Sequence, residues 1–259
     1  MEGFAAFSDQ TFAVAQAELS KLRRDPTELL TRSIQPTLWL LIFGQVFTRA
    51  RAISTAPLTY EEFLAPGVLA QSVLFMAIFY GIAIIWERDL GILQKILISP
   101  AYRSALVLGK AISAGVRGLV QTVFIYGLAL LMGVRIRAGA ANLAGVVLAI
   151  LLGSAIFSTF SLVVACLVRT RERFMGIGQV LTMPLFFASN AIYPLELMPP
   201  WLHAISRLNP LTYLVDSLRL LMVAGGGSQF GLGLDFLVLA AVLVGLTIVA
   251  ARLYPSVVR

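Results

Sequence analysis

Residues 143–168 read LAGVVLAILLGSAIFSTFSLVVACLV, a run without one charged side chain. A helix needs roughly 20 apolar residues to cross the hydrocarbon layer of a bilayer, and this run exceeds that. Five more runs of the same kind flank it, at 29–47, 63–86, 105–134, 174–193 and 232–253. With 59% hydrophobic and 13% charged residues, the chain carries far more apolar surface than a water-soluble fold can hide. The expected fold is an all-α integral membrane protein, a single transmembrane domain over 1–259 with six spanning helices.

The net charge of +7 does not point to nucleic acid, because the basic residues sit at the ends of apolar runs and form no stripe with interleaved aromatics. They set an orientation instead. With the N-terminus inside, Lys21, Arg23, Arg24, Arg32, Arg88, Lys95, Arg103, Lys110, Arg169, Arg171, Arg173, Arg252 and Arg259 are cytoplasmic, while Arg49, Arg51, Arg135, Arg137, Arg207 and Arg219 are external. That bias predicts a multi-pass protein of the plasma or inner membrane with both termini in the cytoplasm. The start of the chain lacks a basic segment leading into an apolar core, so the first spanning helix is expected to target the protein. Before it, Phe12, Ala15, Leu19 and Leu22 recur at helical spacing among polar residues, which predicts an amphipathic helix over 10–24 lying on the membrane surface.

Two links carry more information than their length suggests. The first runs Glu87-Arg88-Asp89-Leu90-Gly91-Ile92-Leu93-Gln94-Lys95-Ile96-Leu97-Ile98-Ser99-Pro100. Leu90, Leu93 and Leu97 fall on one helical face and Pro100 ends the element, so a short amphipathic helix is expected over 87–100. The second, 194–231, is too broken by Pro199, Pro200, Pro210 and Gly225 to Gly227 to span, yet too apolar for a plain loop. Short helices dipping into the outer leaflet fit it. Asn209 can cap a helix opened by Pro210, and Asp216 and Arg219, at i and i+3, can pair on one face.

These two links resemble ABC type-2 exporter permeases, the family of daunorubicin-resistance-type, nodulation-factor and O-antigen exporters. The first link is similar to the family's cytoplasmic Glu-Arg-x-x-Gly segment. The second is similar to its external signature, in Tyr193-Pro194 through Met198-Pro199-Pro200-Trp201-Leu202 and then Asn209-Pro210-Leu211-Thr212-Tyr213-Leu214-Val215-Asp216-Ser217-Leu218-Arg219. The resemblance implies a half-transporter. Two permease chains, a homodimer or a related pair, would each dock a cytoplasmic ATP-binding cassette ATPase through the 87–100 coupling helix, with Glu87, Arg88, Gly91, Leu93, Ile96, Leu97 and Pro100 making the contact. Tyr193, Pro194, Pro199, Asn209, Pro210, Tyr213, Asp216 and Arg219 would build an external gate. ATP and magnesium would sit on the partner subunit, and no cofactor on this chain. A phosphate-binding loop needs a Gly-Lys-Ser/Thr ending, and the one Gly-Lys pair, Gly109-Lys110, is followed by Ala111. The chain is therefore read as a non-enzymatic permease surrounded by membrane lipid.

A pathway is sketched by Trp39, Phe43, Phe47, Phe186 and Phe187, which either line a central cavity or face lipid. Arg117 lies inside the third run and either pairs with Glu28 or Asp25 or faces the pathway, because a charge at that depth is costly. The small residues Gly139, Gly145 and Gly153 suit close helix packing. Rival classes find less in the sequence. A lone His203 without a serine motif argues against an intramembrane enzyme, and a lone Cys166 against disulfide or thiolate metal chemistry. An ion-coupled carrier wants carboxylates within the membrane, whereas Glu196 and Asp216 fall in the second link and Asp235 at a helix start. The expected cargo is a hydrophobic drug or lipid-like molecule, with a lipid-linked polysaccharide or glycolipid as the alternative.

Overall fold

The computed structural model describes residues 16, 20, 27–50, 53–90, 103–168 and 170–253. Those residues are helical apart from turns and one isolated antiparallel bridge between Ile136 and Val223. The predicted first run is helical from Thr27 to Ala50 in three pieces, α1 (Thr27–Leu38), a wider π-helical turn (Trp39–Gly44) and α2 (Gln45–Ala50). Pro36 within α1 has no amide to give to the preceding turn, and the wider turn begins three residues later. Then come α3 (Tyr60–Asp89), α4 (Arg103–Leu131), α5 (Ala140–Leu167) and α6 (Arg171–Phe187). A short 3-10 turn (Leu195–Leu197), α7 (Pro200–Leu208) and α8 (Pro210–Met222) lead to α9 (Leu232–Leu253).

Among the described residues, four helices contain stretches long and apolar enough to cross a membrane: Tyr60–Ile78, Ile112–Leu131, Ala140–Leu167 and Leu232–Leu253. The chain is an all-helical, multi-pass membrane protein. The first and fifth of the six predicted spans do not reach that standard. The first is divided by its π-helical turn, and α6, at 17 residues, opens on Arg171, Glu172 and Arg173. The fifth span also ends earlier than predicted, at Phe187 rather than Tyr193, and the third ends at Leu131 rather than Val134, before Gly133 at a φ of 83°. The sixth is helical over the described residues Leu232–Leu253.

In a bilayer, lipid tails are as apolar as leucine, so helices are held by close packing and hydrogen bonds rather than by burial of apolar area. α5 shows this most clearly. It touches α3, α4, α8 and α9. A Cβ on its Gly145 or Gly153 would lie 2.8 or 2.6 Å from the side chains of Leu221 and Leu214, so these glycines admit α8, as the small-residue spacing predicted. Gly139 instead precedes the helix. Hydrogen bonds cross the same bundle, with Ser33 Oγ donating to Gln121 at 3.0 Å and Ser161 Oγ to the Ile78 carbonyl at 2.6 Å.

Within the link between α6 and α9, α8 is part of the core, whereas α7 is largely exposed. In α8 every residue from Leu211 to Arg219 is buried, and the helix packs on α3, α5, α7 and α9. Of the predicted surface helix over 10–24, only Gln16 and Ser20 are described; both are exposed, and Ser20 Oγ donates to the Gln16 carbonyl. The predicted 87–100 helix does not begin at Glu87, because Glu87, Arg88 and Asp89 continue α3. Gly91, Leu93, Ile96, Leu97 and Pro100 lie outside the described residues.

Candidate functional site

The α7–α8 hairpin is built around Asn209. Its Oδ1 accepts from the Leu211 amide at 3.0 Å, and Pro210 occupies the first turn, so the cap read from the sequence is present. The same side chain has a second task that the sequence does not show. Its Nδ2 donates to the carbonyls of Leu185 and Ala188, at 2.6 and 3.2 Å, and so closes the C-terminal end of α6. One amide thus serves a helix start and a helix end that face each other. Tyr213 tightens the hairpin by donating to the Arg207 carbonyl at 2.7 Å, and the hydroxyls of Ser206 and Thr212 lie 3.0 Å apart. Tyr193 donates to the Phe187 carbonyl, and burial pushes its phenol above the ordinary value.

Asp216 and Arg219 share a face of α8, but they are not joined by a salt bridge. Asp216 is fully buried and turns its carboxylate to the 228–230 segment. It accepts from Ser228 Oγ at 2.6 Å and from the amides of Gln229 and Phe230 at 2.9 and 3.1 Å. Arg219 points the other way. Its Nη2 donates to the Asn190 carbonyl at 2.6 Å, and its guanidinium carbon lies 3.8 Å from the centre of the Phe63 ring. Burial pulls this guanidinium down to about 10, against the opposing pull of Asp216 and Glu196, so it stays charged at neutral pH. The i, i+3 spacing put both groups on the right helix face, but each found a better partner across the fold. Asp216→Ala is expected to cost about 2 kcal/mol, the scale of hydrogen bonds to a charged group. It should also make the 226–231 segment sensitive to limited proteolysis.

The aromatic residues singled out for a pathway do come together. Ring centres run from Phe187 to Phe186 (5.4 Å), Trp39 (5.7 Å), Phe43 (4.3 Å) and Phe47 (6.0 Å). The row then continues to two rings not singled out, Tyr60 (5.3 Å) and Phe63 (6.4 Å). Phe63 is the ring beneath Arg219, so the row ends on the hairpin. Phe186, Tyr60 and Phe63 are buried, while Phe43 and Phe187 are about two-fifths exposed. Arg117 is buried within the bundle on the face of α4 that also carries Ser113 and Gln121, one turn to each side. Of its two suggested partners, Asp25 is outside the described residues, as is the side chain of Glu28.

Sequence reading missed two further features. Thr59 and Glu62 form a reciprocal cap at the start of α3: the Thr59 amide donates to Glu62 at 3.0 Å, and the Glu62 amide to Thr59 Oγ1 at 3.3 Å. Arg135, from the α4–α5 link, grips the same carboxylate at 2.7 and 3.2 Å, and Glu62 in turn holds that guanidinium above its ordinary value. The Thr-x-x-Glu pattern signalled the cap; nothing local signalled the arginine. The second feature is a cavity of about 250 Å³ between α1, α3 and α4, bordered by Gln35, Gln71 and Gln121. Uncharged amides in otherwise apolar runs were its signal.

A family model described as ABC-2 type transporter matches residues 9–223. A chain named as a transport permease, ycf38, of Cyanophora paradoxa is 31% identical over 217 residues, covering 83% of this chain and 74% of the relative. A daunorubicin resistance ABC transporter permease of Streptomyces coeruleorubidus is 27% identical over 229 residues, covering 88% and 80%. The inner membrane transport permease YadH of Escherichia coli is 23% identical over 192 residues, covering 72% of each. The match runs through the α7–α8 hairpin and the aromatic row alike, and the chain belongs to the ABC-2 type transporter family as a membrane permease.

Proposed function

We propose that this chain is the membrane half of an ATP-driven exporter for a hydrophobic drug or lipid-like molecule. The observation that carries the reading is the aromatic row from Phe187 to Phe63. Flat apolar rings offer an amphipathic or aromatic molecule a continuous surface within the bundle, and the daunorubicin resistance permease is similar to this chain over most of its length. The partly exposed rings Phe43 and Phe187, with the exposed Ile34, Leu38, Ile42 and Val46, fit a face presented to a second permease chain. In this reading the first run and α6 complete a set of six spans, and the positive charges place both termini in the cytoplasm of the plasma or inner membrane. The α7–α8 hairpin then dips into the outer leaflet and gates the outer end, with Tyr193, Pro194, Pro199, Asn209, Pro210, Tyr213, Asp216 and Arg219 as its frame.

The motor is a separate ATP-binding subunit that carries ATP and magnesium and docks on 87–100. Nucleotide-dependent closure of two such motors biases the permease pair between inward and outward access. The test is ATP hydrolysis by the reconstituted complex in the presence of cargo. Glu87→Ala and Leu93→Asp are expected to drop cargo-stimulated hydrolysis to the unstimulated level while the permease still inserts. Wild-type stimulation in both variants would sink the coupling assignment.

A further inference from the structure

α6 is held firmly at its two ends and loosely between them. Thr170 Oγ1 accepts from the Arg173 amide at 3.4 Å, which makes Arg171 the first residue of the helix. The Arg171 guanidinium carbon lies 3.7 Å from the centre of the Trp86 ring, a cation on the aromatic face that attracts it best. Trp86 immediately precedes Glu87, at the root of the 87–100 segment. At the other end of α6, Asn209 takes the carbonyls of Leu185 and Ala188.

Between the ends, Phe174, Gly178, Thr182 and Phe186 recur every fourth residue and are buried. Phe174 shares a buried cluster with Ile85 of α3, and a Cβ on Gly178 would meet Ile78 at 3.4 Å. The seam is nevertheless not filled. A cavity of about 230 Å³ lies along it, with Phe75, Ile78 and Ile82 on the α3 side and Met175, Gly178 and Met183 on the α6 side. A close-packed seam resists a shift of either helix, and a gap of this size gives one room.

The two helices differ in freedom. Every residue of α3 from Glu62 to Leu74 is buried, and Arg135 grips Glu62 at its start. α6 has one buried stripe, with Met175, Ile177 and Val180 exposed. A helix of 17 residues is a rod of about 25 Å, and one tied at both ends passes a push at one end to the other.

We propose that α6 is the lever that carries motor movement to the outer hairpin, and that Arg171 and Trp86 are the positioning pair that joins it to the end of α3 on which the motor acts. The proposal rests on the exporter reading and deepens it by naming the route from the docking segment to Phe186, Phe187 and Asn209. A tryptophan that only anchored the chain at the lipid surface would not need Arg171.

The test uses the permease with its ATPase subunit in phosphatidylcholine nanodiscs, with one spin-labelled permease chain per complex. Labels are placed through Val123→Cys in α4 and Val180→Cys in α6, both exposed, with Cys166→Ser. Their separation is read by pulsed electron resonance without nucleotide and after trapping with ATP and vanadate. The labelled parent chain is expected to show a shift of about 2 Å or more, the scale of helix displacement in switching proteins. Arg171→Ala and Trp86→Leu should each lose most of that shift while nucleotide is still trapped. Trp86→Tyr keeps a ring beneath the guanidinium and should retain it. A contact that merely supports the fold would instead lower thermal unfolding and leave the shift intact. An unmoved α6 in the parent chain, a full shift in Arg171→Ala and Trp86→Leu, or a tyrosine variant as impaired as leucine would each overturn the lever, and continued trapping would leave the exporter reading standing. Absence of trapping in every chain would overturn both.

Discussion

Gly67→Ala is expected to cost more than about 3 kcal/mol and to shift most of the detergent-solubilised protein out of its monodisperse peak. A methyl group is a small addition, and overpacking a side-chain core usually costs only about 1–3 kcal/mol because neighbouring rotamers give way. At Gly67 the neighbour cannot give. A Cβ there would lie 2.3 Å from the Ala191 carbonyl oxygen and 2.8 Å from its Cα, so backbone meets backbone. Moving the 188–191 turn aside would break the Arg219 bond to the Asn190 carbonyl at 2.6 Å and the Tyr60 bond to the Ile192 carbonyl at 3.1 Å. Gly176→Ala, on α6 with open space around its Cα, is the control and should be neutral or slightly stabilising. If both variants melt together with wild type, α3 does not rest on this turn.

How far the fold was legible follows from where its causes lie in the chain. The apolar runs are local, so α3, α5 and α9 were readable from hydropathy. The Asn209-Pro210 start of α8 was likewise written in two adjacent residues. What stayed hidden was decided at a distance. α6 stops at Phe187, one turn past Pro184, where a side chain more than twenty positions downstream takes the carbonyls of Leu185 and Ala188. Asp216 and Arg219 satisfied the helical spacing rule, yet a carboxylate that can collect the amides of 229 and 230 gains more than an exposed i, i+3 pair offers. The glutamines of the cavity carry no charge, so charge patterning along the apolar runs does not single them out. Unpaired amides at that depth are nearly as informative.

Asn209 gives the second large effect and the sharper discrimination. If it were only a helix cap, aspartate and serine would replace it with little loss, since both are good at that position. Its Nδ2 changes the ranking. Asn209→Ser keeps an acceptor for the Leu211 amide but abandons the carbonyls of Leu185 and Ala188, for an expected loss of about 1–2 kcal/mol. Asn209→Ala gives up the cap as well, adding about 1 kcal/mol, and is expected near 3 kcal/mol in all. Asn209→Asp should be the worst of the three despite its capping strength. It would set a buried carboxylate oxygen against two carbonyl oxygens at the 2.6 and 3.2 Å now spanned by hydrogen bonds. The predicted order of thermal unfolding in detergent is wild type, serine, alanine, aspartate. An aspartate variant as stable as wild type would mean that Asn209 caps α8 alone and that the end of α6 is held by something else. The order matters for function because this one side chain joins α6, which carries Phe186 and Phe187 of the aromatic row, to α8, which carries Arg219 at the row's other end. A variant that unties the two while the helices persist should separate cargo binding from passage.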